Sequence, residues 1–355
     1  MPVTLNEPLS QLQRHAEDLE YAELINRAVD LKDSVKRLLY VASFACSKHV
    51  SASSLYTRSF NPLLGETYEF VDPKKKYRYF AEQIQHHPPM LAICAESPRW
   101  TYHGEAATRN VLRMTAIDVN HIGTWFLTLR LLDGTEELYT WRKPGMVVKM
   151  PLVSGEPVIE EYGAVNVRNW STGEVCTIDG FKVDAGSEFR GKVFNELGRL
   201  CAELSGCWNE TIVGNVFADT ERKEEFQKFQ IWESNRRRAN RVDCLTPFLV
   251  GLNDIPRKLR NYIPPTDSRL RPDQRALEDG QCEFADVEKK RLEDLQRKRQ
   301  RRRKEDKLDY APRWFKREKC IVTGEDHWSC DREYWRERER SNEERWKSVE
   351  NIFTA

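Results

Sequence analysis

The stretch EQIQHHPP, residues 82–89, places two adjacent histidines, His86 and His87, behind a strand-like run and ahead of two prolines. Neighbours in a regular strand point to opposite faces, so both rings reach one target only if the strand ends here. Pro88 biases His87 toward an extended backbone, and neither proline can donate a ladder hydrogen bond. Two imidazoles converging at a strand end suit a phosphate: each donates an N–H, and a dianion draws the rings toward the charged form. A plain pair of surface histidines in a loop is the alternative. A two-histidine metal centre would need further ligands, and the neighbourhood supplies only Glu82.

Two further stretches carry polar groups at suggestive spacing. In TRSFNPLLGETYEF, Asn61-Pro62 marks a turn, Gly65 ends a short apolar segment, and Arg58 lies three residues before Asn61. Such a turn can offer backbone N–H groups and an amide to an anion, or simply connect a helix to a sheet. In EKKRLEDLQRKRQ, Lys289, Glu293 and Arg297 fall at i, i+4 and i+8 and share one helix face. That pattern is either a solvated stripe of ion pairs or an anion clamp in which Glu293 steadies the two cations and accepts a ligand hydroxyl. The run RKRQRRRK at 297–304 reads as a solvated or membrane-facing helix end, with nuclear import or nucleic-acid binding as the other options. Cys320, His327 and Cys330 lack a convincing fourth ligand for zinc. No nucleophile elbow, phosphate-binding Walker loop, dinucleotide fingerprint or H-E-x-x-H occurs, so nothing calls for catalysis.

The rest of the chain must position these groups. Its 355 residues suit one large domain or two ordinary ones, and its +1 balance, with 32% charged residues, gives no global preference for nucleic acid or membrane. No run of about 18 apolar residues is present, and MPVTLNEPLSQLQRHAED is no signal peptide. Nine scattered cysteines without a C-x-x-C fit free thiols in a reducing cytosol. Leu9, Leu12, Ala16 and Leu19 predict a helix over 8–27; Leu31, Val35, Leu38, Ala42, Ala45 and Cys46 predict a second. From about residue 66 the runs YEFV, YRYFAEQI, MLAICAES, RNVLRMTAI, GTWFLTLRLL, EELYTWRK, AVNVRNW and EVCTIDGF predict strands, with turns at Asp133-Gly134 and Ser171-Thr172-Gly173. Apolar side chains on both faces of Tyr77–Phe80 and Thr124–Leu132 predict an inner face lining an apolar cavity and an outer face covered by helices. Pro272 suits a first helical turn behind Asp267 and Ser268, and 287–306 predicts one charged helix. The density of Trp314, Phe315, Trp328, Tyr334 and Trp335 implies that the tail docks on the body.

FNPLLGETYEF together with EQIQHHPP resembles the fingerprint of the oxysterol-binding-protein-related lipid-transfer domain family. MPVTLNEPLSQLQR, PPTDSRLRPDQRALEDG and PRWF…TGEDHW match in order, so the resemblance spans nearly the whole chain. It implies an α+β, mainly β fold: a large incomplete antiparallel β-barrel around an apolar tunnel, with N-terminal helices and a mostly helical C-terminal subdomain. The expected single lipid-binding domain, 1–355, divides into an N-terminal helical part (1–57), the barrel (58–245) and the C-terminal part (246–355). The implied ligands are phosphatidylinositol 4-phosphate and, exclusively with it, a sterol or in some members phosphatidylserine.

The resemblance also implies a headgroup site. His86 and His87 stand where the family's paired histidines meet the 4-phosphate, and Asn61, beside Phe60, where its asparagine meets the headgroup. Lys289, Glu293 and Arg297 match its late lysine, glutamate and arginine. Arg58 replaces the usual lysine, exchanging a compact ammonium for a planar fork, and Gln85 replaces the usual serine. The family's lid would lie mostly before Met1, which implies a fragment or a rudimentary lid, exposing a bound lipid at about 25 cal/mol per Å² of uncovered apolar surface. EFADVE, residues 283–288, faintly resembles a motif for docking to the endoplasmic reticulum, but it falls within a helix-forming segment. The expectations are therefore a cytoplasmic monomer in transient contact with membrane surfaces, exchanging lipids, with no catalytic residue, cofactor, metal or nucleic-acid partner. A lipid sensor without net transport is the rival.

Overall fold

The computed structural model describes residues 2–47, 58–149, 158–179, 188–207, 210–218, 226–235 and 245–354. It opens with strand β1 (Asn6–Ser10), a short helix α1 (Gln11–Arg14) and a 3-10 turn over His15–Leu19, followed by α2 (Glu23–Asp30) and α3 (Ser34–Ser47). The single helix expected over 8–27 does not form. The Ser10 hydroxyl accepts from Gln13 N at 3.3 Å and the Gln13 side chain accepts from Ser10 N at 2.8 Å, a reciprocal cap that starts a helix at residue 11. The preceding residues are extended and pair in parallel with β2 (Arg58–Phe60). Leu9, Leu12, Ala16 and Leu19 are nonetheless all buried, so their spacing recorded a buried face rather than one continuous helix. The second helix begins at Ser34, where Asp33 Oδ1 accepts from Lys36 N at 3.1 Å.

The body is one open antiparallel sheet of fifteen strands. The first five are β3 (Thr67–Asp72), β4 (Tyr77–Gln85), β5 (Met90–Ser97), β6 (Trp100–Leu112) and β7 (Ala116–His121). Then come β8 (Thr124–Arg130), β9 (Glu136–Arg142), β10 (Gly145–Lys149), β11 (Val158–Tyr162) and β12 (Val165–Asn169). The last five are β13 (Val175–Asp179), β14 (Glu188–Phe194), β15 (Leu200–Cys207), β16 (Thr211–Phe217) and β17 (Phe226–Glu233). Strand β6 pairs with β5 along one edge; on its other edge it pairs first with β8 and, farther along, with β7, from which β10 and β11 branch. Strand β17 and, on the other side of β6, strands β3 and β11 are terminal, and none of these pairs with another among the described residues, so the barrel is incomplete. Two boundaries differ from expectation. β2 belongs to the small sheet with β1, and RNVLRMTAI is not one strand but the end of β6, a turn closed by Arg113 N donating to Ala116 O at 2.8 Å, and the start of β7. The last two residues of EVCTIDGF, and 48–57 of the N-terminal part, lie outside the described residues.

Alternation assigns the two faces of this sheet. Tyr79, Ala81, Leu91, Ile93, Ala95, Tyr102, Trp125 and Leu127 belong to one large core with α1–α3. Phe44 of α3 meets Tyr102 and Trp141 edge-on, at centroid distances of 5.6 and 6.2 Å. Among the described residues the inner face thus carries the N-terminal helices against a wall of mixed aromatic and aliphatic side chains. The intervening residues Phe80, Ala92 and Cys94 face outward into a second core with Trp314, Phe315, Tyr334 and Trp335 of the tail.

The C-terminal part starts with a segment over 245–263 that packs Phe248 on Phe70, then α4 (Pro272–Glu278) and α5 (Cys282–Glu305). It ends with a hairpin of β18 (Phe315–Lys319) and β19 (Asp326–Cys330) and with α6 (Glu333–Arg338). The hairpin was not expected in a mostly helical part. Its placement is fixed by Glu82, buried on the outer face, which accepts from Arg313 N at 2.9 Å, Trp314 N at 3.0 Å and Tyr310 Oη at 3.1 Å. Pro272 does occupy the first turn of α4, and EFADVE lies inside α5.

Candidate functional site

The turn Asn61-Pro62-Leu63-Leu64 is built from behind by a buried ionic cluster. Arg271 donates to Asn61 O at 2.7 Å and to Glu66 Oε2 at 3.0 Å, and its Nε donates to Asp273 at 2.7 Å. Glu66 in turn accepts from Leu63 N at 2.9 Å. Arg271 is buried, yet the carboxylates on either side hold its guanidinium above the usual arginine range against the cost of burial. Gly65 closes the turn with φ +82, a conformation that favours glycine.

Helix α5 passes over this turn and ties it to the histidines. The Gln296 carbonyl oxygen accepts from Leu64 N at 2.9 Å, and its amide nitrogen lies 2.7 Å from His86 Nε2. Strand β4 ends at Gln85, which frees His86 and His87 from strand alternation, and their ring centroids stand 4.2 Å apart. The His87-Pro88 peptide is cis. His86 is half-buried and His87 exposed. Burial first, and then the neighbouring His87, push the His86 pKa below the ordinary histidine value.

At the other end of the site, Asn6 joins three elements. Its amide donates to Arg58 O at 2.9 Å and its carbonyl oxygen accepts from Lys289 Nζ at 3.2 Å. The Lys289 ammonium lies 5.8 Å from the centroid of the Phe60 ring, which is buried. Asn61 Oδ1 accepts from Gln11 Nε2 at 3.0 Å.

All eight residues singled out in the sequence, Arg58, Phe60, Asn61, His86, His87, Lys289, Glu293 and Arg297, line one cavity of about 380 Å³. The lining cations of the cavity outnumber its single lining carboxylate, Glu293. One expected detail differs: the close partner of Arg297 is Asp294, at 2.7 Å, while Glu293 lies 3.9 Å away. An exposed pair of that kind contributes little, so both side chains can reorient toward a ligand. Asn6, Arg271, Gln296 and Gln300 also line the cavity and were missed. Gln296 and Gln300 were within reach, since they continue the 289–293 helical face; Asn6 and Arg271 arrive only through the fold.

The other candidates disperse. His327 packs 5.1 Å from both His103 and Phe126, centroid to centroid, whereas Cys330 sits in the aromatic cluster beside Cys94. Among the described residues no three histidine, cysteine or acidic side chains come together to hold a metal ion. In the run 297–304, Arg299 donates to Ile352 O at 2.7 Å and Arg303 lies over Tyr310, so part of that charge fastens the C-terminal tail. Among the described residues no helix is long and apolar enough to cross a membrane.

Comparison with known proteins gives a family model, oxysterol-binding protein, that matches residues 1–339. Oxysterol-binding protein homolog 2 of Saccharomyces cerevisiae is 40% identical over 94% of this chain, and homolog 1 is 36% identical over 99%. The chain spans 28% and 31% of the length of those two relatives. Among solved structures, the Osh1 ORD domain in complex with ergosterol superposes with a TM-score of 0.91 at 38% identity, covering 99% of this chain and 86% of that one. The Osh3 ORD from Saccharomyces cerevisiae in complex with PI(4)P gives 0.80 at 28% identity, covering 99% and 90%.

Proposed function

The chain belongs to the oxysterol-binding protein family, and from that premise we propose that it is a lipid-transfer module that takes up phosphatidylinositol 4-phosphate and a sterol in turn and exchanges them between membranes. The observation that carries this reading is the convergence of three distant stretches, 58–61, 86–87 and 289–297, on one cationic cavity. A 4-phosphate there meets two imidazoles able to become imidazolium, with Lys289 and Arg297 as further cations. On this reading the Asn61 amide and Glu293 take inositol hydroxyls. Charge-assisted hydrogen bonds of this kind contribute about 1.5–3 kcal/mol each, enough to select one headgroup.

The hydrocarbon part of either lipid carries hundreds of Å² of apolar surface and does not cross water unaided at useful rates. The inner side of the sheet is the apolar counterpart on this reading, and the headgroup cavity is its polar entrance. One space for two lipids makes their binding mutually exclusive, so each membrane loads one and receives the other. No bond is made or broken, and no side chain is assigned a catalytic role. The protein works at membrane surfaces, as a monomer, in the cytoplasm.

Native mass spectrometry of the protein after incubation with vesicles containing both lipids tests the proposal. The expected spectrum holds chains with one phosphoinositide or one sterol and none with both. Doubly loaded chains would remove the exchange mechanism, and chains with neither would remove the lipid assignment. Binding without transfer of lipid between vesicle populations would favour a sensor.

A further inference from the structure

The register of the sheet puts an unusual hairpin next to the cavity. Strands β4 and β5 are joined by the turn that carries His86 and His87, and Met90, the first residue of β5, pairs with Ala107 of β6. Strand β6 does not stop there. It runs five residues farther, to Leu112, and returns as β7, with Thr108 paired to His121 and Leu112 to Ile117. At about 3.4 Å per residue the tip stands about 17 Å beyond the level of the histidine turn, at the same end of the sheet.

Among the described residues that tip is apolar and exposed. Met114 is 98% exposed, Leu112 80% and Val111 46%. Isolated exposed apolar residues need no explanation, but three at the end of a projecting turn form a patch that water disfavours. Arg109, Arg113 and Lys149 are exposed around it. Arg113 is held by Asp118 at 2.5 Å while its side chain stays 68% exposed, so its charge has a fixed position. The hairpin is also stiff. It is widened by β10 and β11, the Tyr162 hydroxyl donates to Asn120 Oδ1 at 2.7 Å, and the Tyr162 ring crosses Gly145 where a Cβ would come within 2.5 Å of it.

We propose that the β6–β7 hairpin is a wedge that inserts Leu112 and Met114 into an anionic bilayer and so seats the mouth of the cavity on the membrane. The surface is convex and small. A stable protein partner needs about 800 Å² on each side, which a three-residue tip does not provide, whereas a bilayer accepts a few apolar side chains beneath a ring of cations. The arginines stand next to the apolar tip, at the depth of the headgroups when Leu112 and Met114 reach the acyl boundary. The inference rests on the lipid-transfer reading only in taking a bilayer as the surface the protein meets.

The test uses the full chain and flotation with phosphatidylcholine vesicles, with or without phosphatidylserine and free of phosphoinositide and sterol. The wild-type protein is expected to float with the anionic vesicles. The double substitution Leu112→Asp with Met114→Asp is expected to lower bound protein at least about tenfold, while Leu112→Phe with Met114→Leu retains it. Binding of a water-soluble short-chain phosphatidylinositol 4-phosphate by the aspartate variant should be unchanged, which also reports that the variant is folded. Hydrogen exchange on the wild-type protein needs no variant: vesicles should protect the amides of 109–116. Undiminished flotation of the aspartate variant, no flotation of the wild type, or no protection at 109–116 would each overturn the wedge. Wild-type docking through the hairpin by a protein that takes up neither lipid would remove the proposed function and leave the wedge standing.

Discussion

The Gln296 amide nitrogen lies 2.7 Å from His86 Nε2, so the basic helix and the histidine turn share a hydrogen bond rather than merely facing each other. An amide that donates to an imidazole nitrogen stabilises the neutral ring, which acts in the same direction as the burial that lowers the His86 pKa. Gln296→Glu replaces that donor with a carboxylate and favours the imidazolium. The His86 titration, followed by NMR of the ring protons, should move to higher pH, by about one unit or more for a contact this short. A titration that stays in place would mean that Gln296 and His86 do not touch in solution.

Removing the two imidazoles should separate the two ligands. His86→Ala with His87→Ala deletes two charge-assisted hydrogen bonds to a phosphate, about 3–6 kcal/mol in all, or more than a hundredfold in phosphoinositide binding. Sterol binding should be spared, because a sterol has no phosphate to lose. Lys289→Ala should lower phosphoinositide extraction by a smaller factor. Equal loss of both lipids in a variant that melts like the wild type would refute the separation of headgroup and body sites.

Proton uptake should accompany phosphoinositide binding. Burial and the neighbouring His87 hold His86 below its ordinary pKa, and a phosphate dianion beside it raises the value again. Between the two values the bound protein carries a proton that the free protein lacks, so affinity gains as pH falls through this window until the phosphate itself protonates near pH 6. Calorimetry in two buffers of different ionisation heat measures the uptake directly. Zero net uptake around pH 7 would argue against imidazolium formation.

How far the sequence could reveal this arrangement depended on the range of each signal. Short apolar runs bounded by turn signals announced β3–β5, β8, β9, β12 and β13, while β10, β11 and β14–β17 went unread, and the aromatic density of the tail announced its docking. The histidines, Asn61 and the 289–297 face stood out because local chemistry marks them. The split of 8–27 into β1, α1 and later turns was hidden, because the capping box of Ser10 and Gln13 and the pairing with β2 outweigh a helical pattern that the buried residues satisfy anyway. Arg271 was invisible for another reason: its partners Asn61 and Glu66 are some two hundred positions away in the chain. The tip of β6–β7 looked like mid-strand because Val111, Leu112 and Met114 are apolar where a turn is ordinarily polar.

Arg271 should be indispensable for stability as well as for the turn. It lies buried between Glu66 and Asp273 and holds the Asn61 carbonyl. Arg271→Met leaves two buried carboxylates without their cation, at a cost of about 3–5 kcal/mol. Denaturant melts should show a lower midpoint with an unchanged slope. A change below about 1 kcal/mol would mean that water reaches Glu66 and Asp273 and that the cluster is not sealed.

The outer face carries an acid-labile site. His103 on β6 is half-buried with its Nε2 enclosed; the ring stacks on Phe126 at 5.0 Å and faces His327, and that Nε2 finds no hydrogen-bond partner among the described residues. Burial, with a smaller contribution from His327, pulls its pKa down to about 3. The sign is that of a depressed group: the unfolded chain binds a proton below about pH 6.5 and the native state does not. Stability present above that pH is therefore lost as pH falls toward 3, at about 1.4 kcal/mol per pH unit, or about 2 kcal/mol between pH 6.5 and 5. His103→Leu removes the titrating group and keeps an apolar contact with Phe126. Its unfolding free energy should fall less steeply with acid than that of the wild type over this interval, and if the two slopes coincide, His103 either reaches water or is protonated in the native protein.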